Sequence, residues 1–112
     1  MSYIYSNGLC DEALRIMNSN DSLESRLTRA FGEMNVANDG DTSDEIWNKW
    51  KTLKTRYYTV TSEIHRLKQE GVVIDNTPEE LKQFGESLIA LIGEWKEFNN
   101  NEIRQGRRSK RV

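Results

Sequence analysis

The chain has 112 residues, of which 36% are hydrophobic and 30% charged, and its formal charge is -2. This length allows one domain with one core, and the nearly balanced charge gives no general attraction to nucleic acid or membranes. Cys10 is the only cysteine, which excludes an internal disulfide. The sequence shows neither a signal-like leader nor an apolar run near the ~20 residues of a membrane span. We therefore expect a cytoplasmic protein, or a nuclear one in a eukaryotic or viral setting.

Charge is distributed unevenly along the chain. Residues 1–50 hold nine acidic and four basic side chains, whereas residues 104–112 hold five basic and no acidic ones. This contrast predicts two different electrostatic faces. We divide the chain into a helical domain, residues 1–103, and a basic C-terminal tail, residues 104–112.

An extended arm and a short helix are predicted first. Residues 1–7 contain a short aromatic run, but no second strand is evident to pair with it, so we expect them to lie along the helices. Ser6 or Asn7 then caps a helix that ends near Met17. The apolar residues of this helix share one face and are Leu9, Ala13, Leu14 and Met17.

A second short helix is predicted from Asp21 to about Asn35. Asp21 and Glu24 resemble a capping box, with aspartate in place of the usual serine or threonine. The apolar residues of this helix are Leu23, Leu27, Ala30, Phe31 and Met34. Neither short helix is long enough to persist alone in water, so both are predicted to dock on the rest of the chain.

Residues 35–43 are dense in turn formers and are predicted to be a polar linker. The run around Gly40 suggests a calcium loop, but aligning Gly40 with the invariant glycine of that loop puts Ala37 at the third position and Ile46 at the twelfth. Alanine cannot bind the ion, and the closing glutamate is missing. We therefore predict no metal site here.

A long helix follows, over about residues 43–70. Thr42 and Glu45 form a second capping box, and Gly71 is placed to end the helix in a left-handed conformation. The apolar residues alternate steps of four and three, which is typical of a helix that packs along its whole length on another, as in a coiled coil. We call these seven residues the seam: Ile46, Trp50, Leu53, Tyr57, Val60, Ile64 and Leu67.

A second long helix is predicted over about residues 78–103. Thr77 supplies a cap and Pro78 occupies the first helical position, which is the strongest start signal in the chain. The apolar residues repeat the same steps and are Leu81, Phe84, Leu88, Leu91, Trp95 and Phe98. Two long helices joined by a short loop should fold back antiparallel, so we predict an all-α fold in which the two short helices pack on this hairpin. Residues 72–74 in the loop either cap the core or form an exposed contact.

Four residues of the last helix bear on how much of its surface contacts other helices. Ile89 and Ile92 extend its apolar face beyond a two-helix contact. Gly85 and Gly93 each cost ~1 kcal/mol of helix propensity relative to alanine. Because the two glycines lie near one face, we predict that they allow another helix to approach closely; the alternative is that both face solvent.

A second line of residues runs beside the seam, and we call it the Lys/aromatic line: Trp47, Lys51, Lys54, Tyr58, Thr61, His65 and Lys68. Cations interleaved with rings suit a phosphate-bearing strand, and we assign all of them except Thr61 as candidate partner-binding residues. The alternative is that Trp47 and Tyr58 receive the short helices while the lysine stems lie along the edge.

The segment 47–60, WNKWKTLKTRYYTV, resembles the tryptophan-bearing helix of Myb-like DNA-binding domains. The resemblance covers less than a fifth of the chain. Those domains use three short helices, each with its own bulky aromatic residue, whereas this helix is predicted to continue for about two more turns. We therefore do not assign the chain to that family.

The tail contains five basic residues, Arg104, Arg107, Arg108, Lys110 and Arg111. Such a cluster suits nucleic acid, an acidic protein surface or recognition as a nuclear address. The alternative is a solvated segment without a partner.

We predict neither an enzyme nor a cofactor. His65 is the only histidine, Cys10 has no base beside it in the sequence, and metal-ligand spacings and phosphate-binding loops are absent. We predict a non-enzymatic module that binds a protein, either another protein or a second copy of itself, through its helical faces. Small helical proteins of this kind are often regulators, inhibitors or assembly factors, and many are virus-encoded. The alternative is a nucleic-acid-binding accessory protein that uses the tail and the Lys/aromatic line.

Overall fold

The computed structural model describes residues 3–73 and 79–106. These residues form four helices, α1 (Tyr3–Met17), α2 (Leu23–Met34), α3 (Asp44–Gln69) and α4 (Glu79–Arg104), and no strand. The predicted all-α fold is confirmed, including the long hairpin and the two short helices packed on it. Within the described ranges, no helix combines the length and hydropathy that crossing a bilayer requires.

The two long helices are antiparallel. Near the start of α3, Lys49 Nζ lies 2.8 Å from a carboxylate oxygen of Glu94, late in α4. Further along, the rings of Tyr57 and Phe84 meet edge to face with centroids 5.5 Å apart. Residue numbers rise on one helix as they fall on the other, as the matching apolar repeats predict.

The short helices complete a four-helix bundle. Helix α1 runs antiparallel to α4, since Asn7 bonds Asn100 at 2.7 Å and Met17, at the other end of α1, approaches Gly85. Helix α2 returns beside α1, and Arg26 donates to the Met17 carbonyl at 2.9 Å. The bundle is elongated, with extents of 54 × 25 × 18 Å.

Aromatic rings join α2 to α3 at the centre of the core. Phe31 stacks on Tyr57 with centroids 3.9 Å apart and on Trp50 with centroids 5.6 Å apart. Trp50 and Trp95 are fully buried. Such rings bury large areas and add a stacking contribution of about 0.5–1.5 kcal/mol per pair.

The predicted extended arm is wrong for residues 3–7, which form the first turns of α1. Tyr3 and Ser6 are buried on the same stripe as Cys10 and Ala13. The prediction that Ser6 or Asn7 caps this helix is therefore wrong, and the Ser6 hydroxyl lies inside the bundle and donates to the Asp41 carbonyl at 2.8 Å.

Both predicted helix caps are displaced by one residue, and each observed cap is a single serine without a capping box. Ser22, not Asp21, caps α2 and accepts from the Ser25 amide at 3.1 Å, while the Asp21 carboxylate binds Arg29. Ser43, not Thr42, caps α3, since its hydroxyl accepts from the Ile46 amide at 3.1 Å, while Thr42 is fully buried. In each case a serine was available immediately after the predicted cap, and sequence alone does not place the first helical turn to one residue.

The structure separates the glycines that the sequence grouped together. Gly71 ends α3 with φ of 84°, and the Val72 amide bonds the Leu67 carbonyl at 3.0 Å, which confirms the predicted left-handed stop. Gly85 faces α1 and α2, and a Cβ there would make ordinary van der Waals contact, 3.4 Å from Met17 Cε. A Cβ at Gly93 would have no neighbour within 4 Å among the described residues, so the predicted close approach does not extend to Gly93.

The predicted wide apolar face of α4 is only partly correct. Ile92 is fully buried, but Ile89 is 44% exposed. In the loop after α3, Val72 and Val73 are also exposed. Ile74 and the predicted cap at Thr77 and Pro78 lie outside the described residues.

A buried polar cluster joins α1, the loop before α3 and the end of α4. Asn99 Nδ2 donates to Ser6 Oγ at 2.8 Å and to the Asp41 carbonyl at 3.0 Å. Trp95 Nε1 also donates to Ser6 Oγ, at 3.2 Å. Ser6, Asp41 and Asn99 are all fully buried, so these hydrogen bonds form where water would not replace them.

Candidate protein-binding surface

The seam changes character along α3. Its first four residues are buried: Ile46, Trp50, Leu53 and Tyr57. The remaining three are only half-buried: Val60, Ile64 and Leu67. The prediction that this helix packs along its whole length therefore holds for the first part of the seam and not for the last.

A pocket of about 100 Å³ opens beside the half-buried part of the seam, and we call it the α2–α3–α4 pocket. It is lined by Glu24, Leu27, Thr28, Tyr57, Thr61, Ile64, His65, Lys68 and Leu81. Leu27, Ile64 and Leu81 contribute its apolar part. A concave apolar surface with polar groups at its edge is the usual form of a binding site.

Tyr57 is the most buried of the polar residues that line this pocket. Its hydroxyl lies 3.5 Å from Thr28 Oγ1, and either atom can be the donor. Burial raises the pKa of Tyr57 above the usual value of 10.0, so the phenol is neutral at physiological pH. It can offer one hydrogen bond, but no charge, to a bound group.

The charged residues of the pocket are exposed and loosely paired. Lys68 Nζ lies 3.6 Å from Glu24, and both side chains are about half exposed. His65 approaches the Gln69 side chain, with 3.1 Å between their nitrogens. Exposed pairs of this kind contribute at most about 1 kcal/mol, so a partner's charges could replace them at little cost.

The Lys/aromatic line does not form one continuous site. Thr61, His65 and Lys68 meet at the α2–α3–α4 pocket. Trp47, in contrast, is half-buried, with its ring edge-on to Trp95 of α4 at 6.3 Å between centroids. This contact places Trp47 against α4, whereas the alternative interpretation of the sequence expected the short helices there.

The middle of the line is partly engaged in contacts within the bundle. Tyr58 is 39% exposed; its ring meets Phe31 of α2 edge-on and its hydroxyl accepts from Asn35. Lys54 Nζ lies 5.7 Å from the centroid of the Trp50 ring, a cation–π distance. Lys51 is exposed. The rings that base stacking would need are therefore less available than the lysines.

Sequence reasoning missed two of the pocket's polar residues. Glu24 was assigned to a capping box, and Thr28, one turn later, lies off the apolar stripe of α2. Their spacing of four residues puts them on one edge of the helix, which was the only available signal. Only the crossing of α2 over α3 shows that this edge faces Lys68.

A second concave surface lies at the other end of the bundle, between the start of α3 and the last turns of α4. We call it the acidic groove; it has a volume of about 380 Å³ and is lined by Ser43, Glu45, Ile46, Glu94, Glu97, Phe98 and Asn101. Sequence analysis did not anticipate it, because its carboxylates come from two helices about 50 residues apart. Of the basic tail residues, Arg104 is exposed at the end of α4, and Arg107, Arg108, Lys110 and Arg111 lie outside the described residues.

Cys10 and His65 occupy very different environments. Cys10 is fully buried in α1, and burial raises the pKa of its thiol to about 12. His65 is exposed in the last part of α3.

Among residues 3–73 and 79–106, no three side chains of the metal-binding types cluster closely enough to hold an ion. A comparison of the chain with protein-family models, curated proteins and solved structures found no match.

Proposed function

We propose that the protein is a non-enzymatic protein-binding module that holds an amphipathic helix of another protein against the α2–α3–α4 pocket and the half-buried end of the seam. The single observation that carries this proposal is the change in burial along α3. The spacing of apolar residues continues unbroken from Tyr57 to Leu67, while their cover declines.

The proposed occupant follows from what covers the rest of the seam. Around Trp50 and Tyr57 the cover is α2, an amphipathic helix that lays an aromatic ring on the seam. Val60, Ile64 and Leu67 continue the same steps and offer a surface of the same kind. An amphipathic helix binds such a surface through residues spaced three and four apart, one of which would enter the pocket.

Site-specific photo-crosslinking in the cells that make the protein tests this proposal. A photoreactive residue replaces His65, at the pocket, and a matched variant carries it at Thr55, which is exposed earlier on the same helix. We expect one crosslinked protein partner from position 65 that is absent from position 55, survives nuclease treatment and disappears when Leu67→Asp is added.

Three outcomes would contradict the proposal. The first is an absence of crosslinks at position 65, and the second is an equal pattern at both positions. The third is a crosslink to a second copy of this chain, which would replace the proposed partner with self-association. Circular dichroism of the Leu67→Asp variant serves as a folding control, and a half-buried position should tolerate this change.

Nucleic-acid binding remains the second candidate, and the basic character of α3 favours it. Between Trp47 and Ser62 the helix contains four basic residues and no acidic one: Lys49, Lys51, Lys54 and Arg56. Lys49 is already paired with Glu94, which leaves three cations for phosphates. Crosslinks that are lost on nuclease treatment would favour this candidate.

A further inference from the structure

The acidic groove concentrates negative charge over an apolar surface. Three glutamates line it, together with Ile46 and Phe98, and none of its lining residues within 3–73 and 79–106 is basic. Lys49 lies beside it, 2.8 Å from Glu94 and 3.8 Å from Glu45. One ammonium among three carboxylates leaves a net negative site that is suited to a cationic ligand.

We propose that the acidic groove binds the basic segment formed by residues 107–112 of the same chain. Four of these six residues are arginine or lysine and none is acidic. Guanidinium groups pair with carboxylates in a fork geometry, and the aliphatic stems of arginine and lysine lie favourably on apolar side chains such as Phe98. The two surfaces are therefore complementary in charge and in the character of their apolar parts.

The end of α4 lies at the edge of the groove. Arg104 donates to Asn101 Oδ1, and Asn101 lines the groove, so the first basic residue of the tail already lies at its edge. Gly106 ends the helix with φ of 74°, and its amide bonds the Ile103 carbonyl at 3.0 Å. A left-handed glycine of this kind is a common helix stop.

The length of the segment matches the distance it must cover. From Gly106 back to Glu94, the helical rise spans about 18 Å. Six residues in an extended conformation span about 20 Å. Residues 107–112 can therefore reach the far end of the groove without any change in α4, and attachment to the same chain gives the segment a high effective concentration there.

The proposed contact places the tail arginines on the protein's own carboxylates. Any nucleic acid or acidic protein that recruits these arginines must first displace them from the groove. The contact consists of exposed charge pairs, so salt should weaken it. This inference does not depend on the α2–α3–α4 pocket, and either proposal can fail alone.

Paramagnetic relaxation measured by NMR on the full chain tests the contact. A spin label is attached at Ser109→Cys in a chain that also carries Cys10→Ala, so that only one thiol is present. At low salt we expect the amide signals of Glu45, Ile46 and Glu94 to lose more than about half of their intensity, because the tethered segment would hold the nitroxide close to these amides for most of the time. Salt at about 0.5 M should restore the signals, since the screening length then falls to a few ångströms.

Two variants that remove the same number of charges give the matched comparison. Glu45→Gln with Glu97→Gln removes two groove carboxylates and keeps the bond between Lys49 and Glu94. Glu80→Gln with Glu86→Gln removes two exposed carboxylates elsewhere on α4. The first pair should restore the signals at 45, 46 and 94, and the second should leave them attenuated.

The proposal is overturned if those three signals keep their intensity at low salt. It is also overturned if the signals are attenuated as strongly in the Glu45→Gln, Glu97→Gln variant as in the parent chain. It is also overturned if the attenuation occurs only between molecules, that is, when the spin label is on one chain and the observed amides are on another. That last result would assign the segment to the groove of a second copy.

Discussion

The two halves of α3 carry the same apolar repeat but differ in how deeply the repeat is buried. Leu53 and Leu67 are both leucines of the seam, yet Leu53 is buried and Leu67 is only half-buried. The difference comes from their neighbours. Phe31 of α2 stacks on the seam near Trp50 and Tyr57, while the α2–α3–α4 pocket opens beside Ile64. A periodic pattern thus fixes which side of a helix is apolar, but the lengths and crossings of the other helices fix how much of that side is covered.

Thiol labelling should give the largest contrast between a well-covered position and the open end of the seam. Cys10 should react with a soluble thiol reagent at least about 1000-fold more slowly than a cysteine placed by Leu67→Cys in a Cys10→Ala chain, since the buried thiol reacts only after the bundle opens. The measurement is the labelling rate at pH 8 without denaturant. Comparable rates would show that α1 is not held in the core as described.

Truncating the two leucines should give the next largest contrast. Leu53→Ala should lower the free energy of unfolding by about 2–3 kcal/mol, because it leaves a cavity in a packed core. Leu67→Ala should cost about 1 kcal/mol or less, because only part of its side chain leaves water on folding. Urea unfolding monitored by circular dichroism measures both values. Equal losses would refute the contrast in cover between the halves.

The glycines of α4 allow the same comparison on the partner helix, with a smaller expected effect. Gly85→Leu should destabilise the bundle by about 1–3 kcal/mol, since the added atoms would meet Met17 and Leu27. Gly93→Leu should be neutral or stabilise the fold by up to about 1 kcal/mol, because leucine favours helix and a side chain there begins in open space. Thermal or urea unfolding of both variants decides the question, and a stable Gly85→Leu would contradict the close approach of α1.

The hairpin could be predicted from sequence because its signals are local and repeated. Seven seam residues, a left-handed glycine and a matching repeat on α4 all point to the same arrangement. The errors lie where the outcome depends on another element. Ser6 looked like a cap because nothing near it in sequence shows the Asp41 carbonyl that it binds. Gly93 resembled Gly85 in sequence, but only one of them faces a neighbouring helix.

The candidate surfaces were less predictable than the fold for the same reason. The residues of the Lys/aromatic line lie along one side of α3, yet Trp47 contacts α4 and Lys68 contacts α2. The acidic groove draws its glutamates from two helices whose relative height is set by packing. A line of residues on one helix is visible in a sequence, whereas a site shared between helices requires knowledge of their alignment.

Besides packing, hydrogen bonds between Asn99, Ser6 and the Asp41 carbonyl tie α1, the loop before α3 and the end of α4 together in this alignment. Helices held together only by apolar side chains can shift along one another by a turn, about 5.4 Å, and still bury a comparable apolar surface area. Here such a slip would strand an amide and a hydroxyl in a dry interior, so the slipped arrangements are disfavoured. A ligand that binds this bundle consequently meets a surface of one defined shape, because the helices have one relative arrangement.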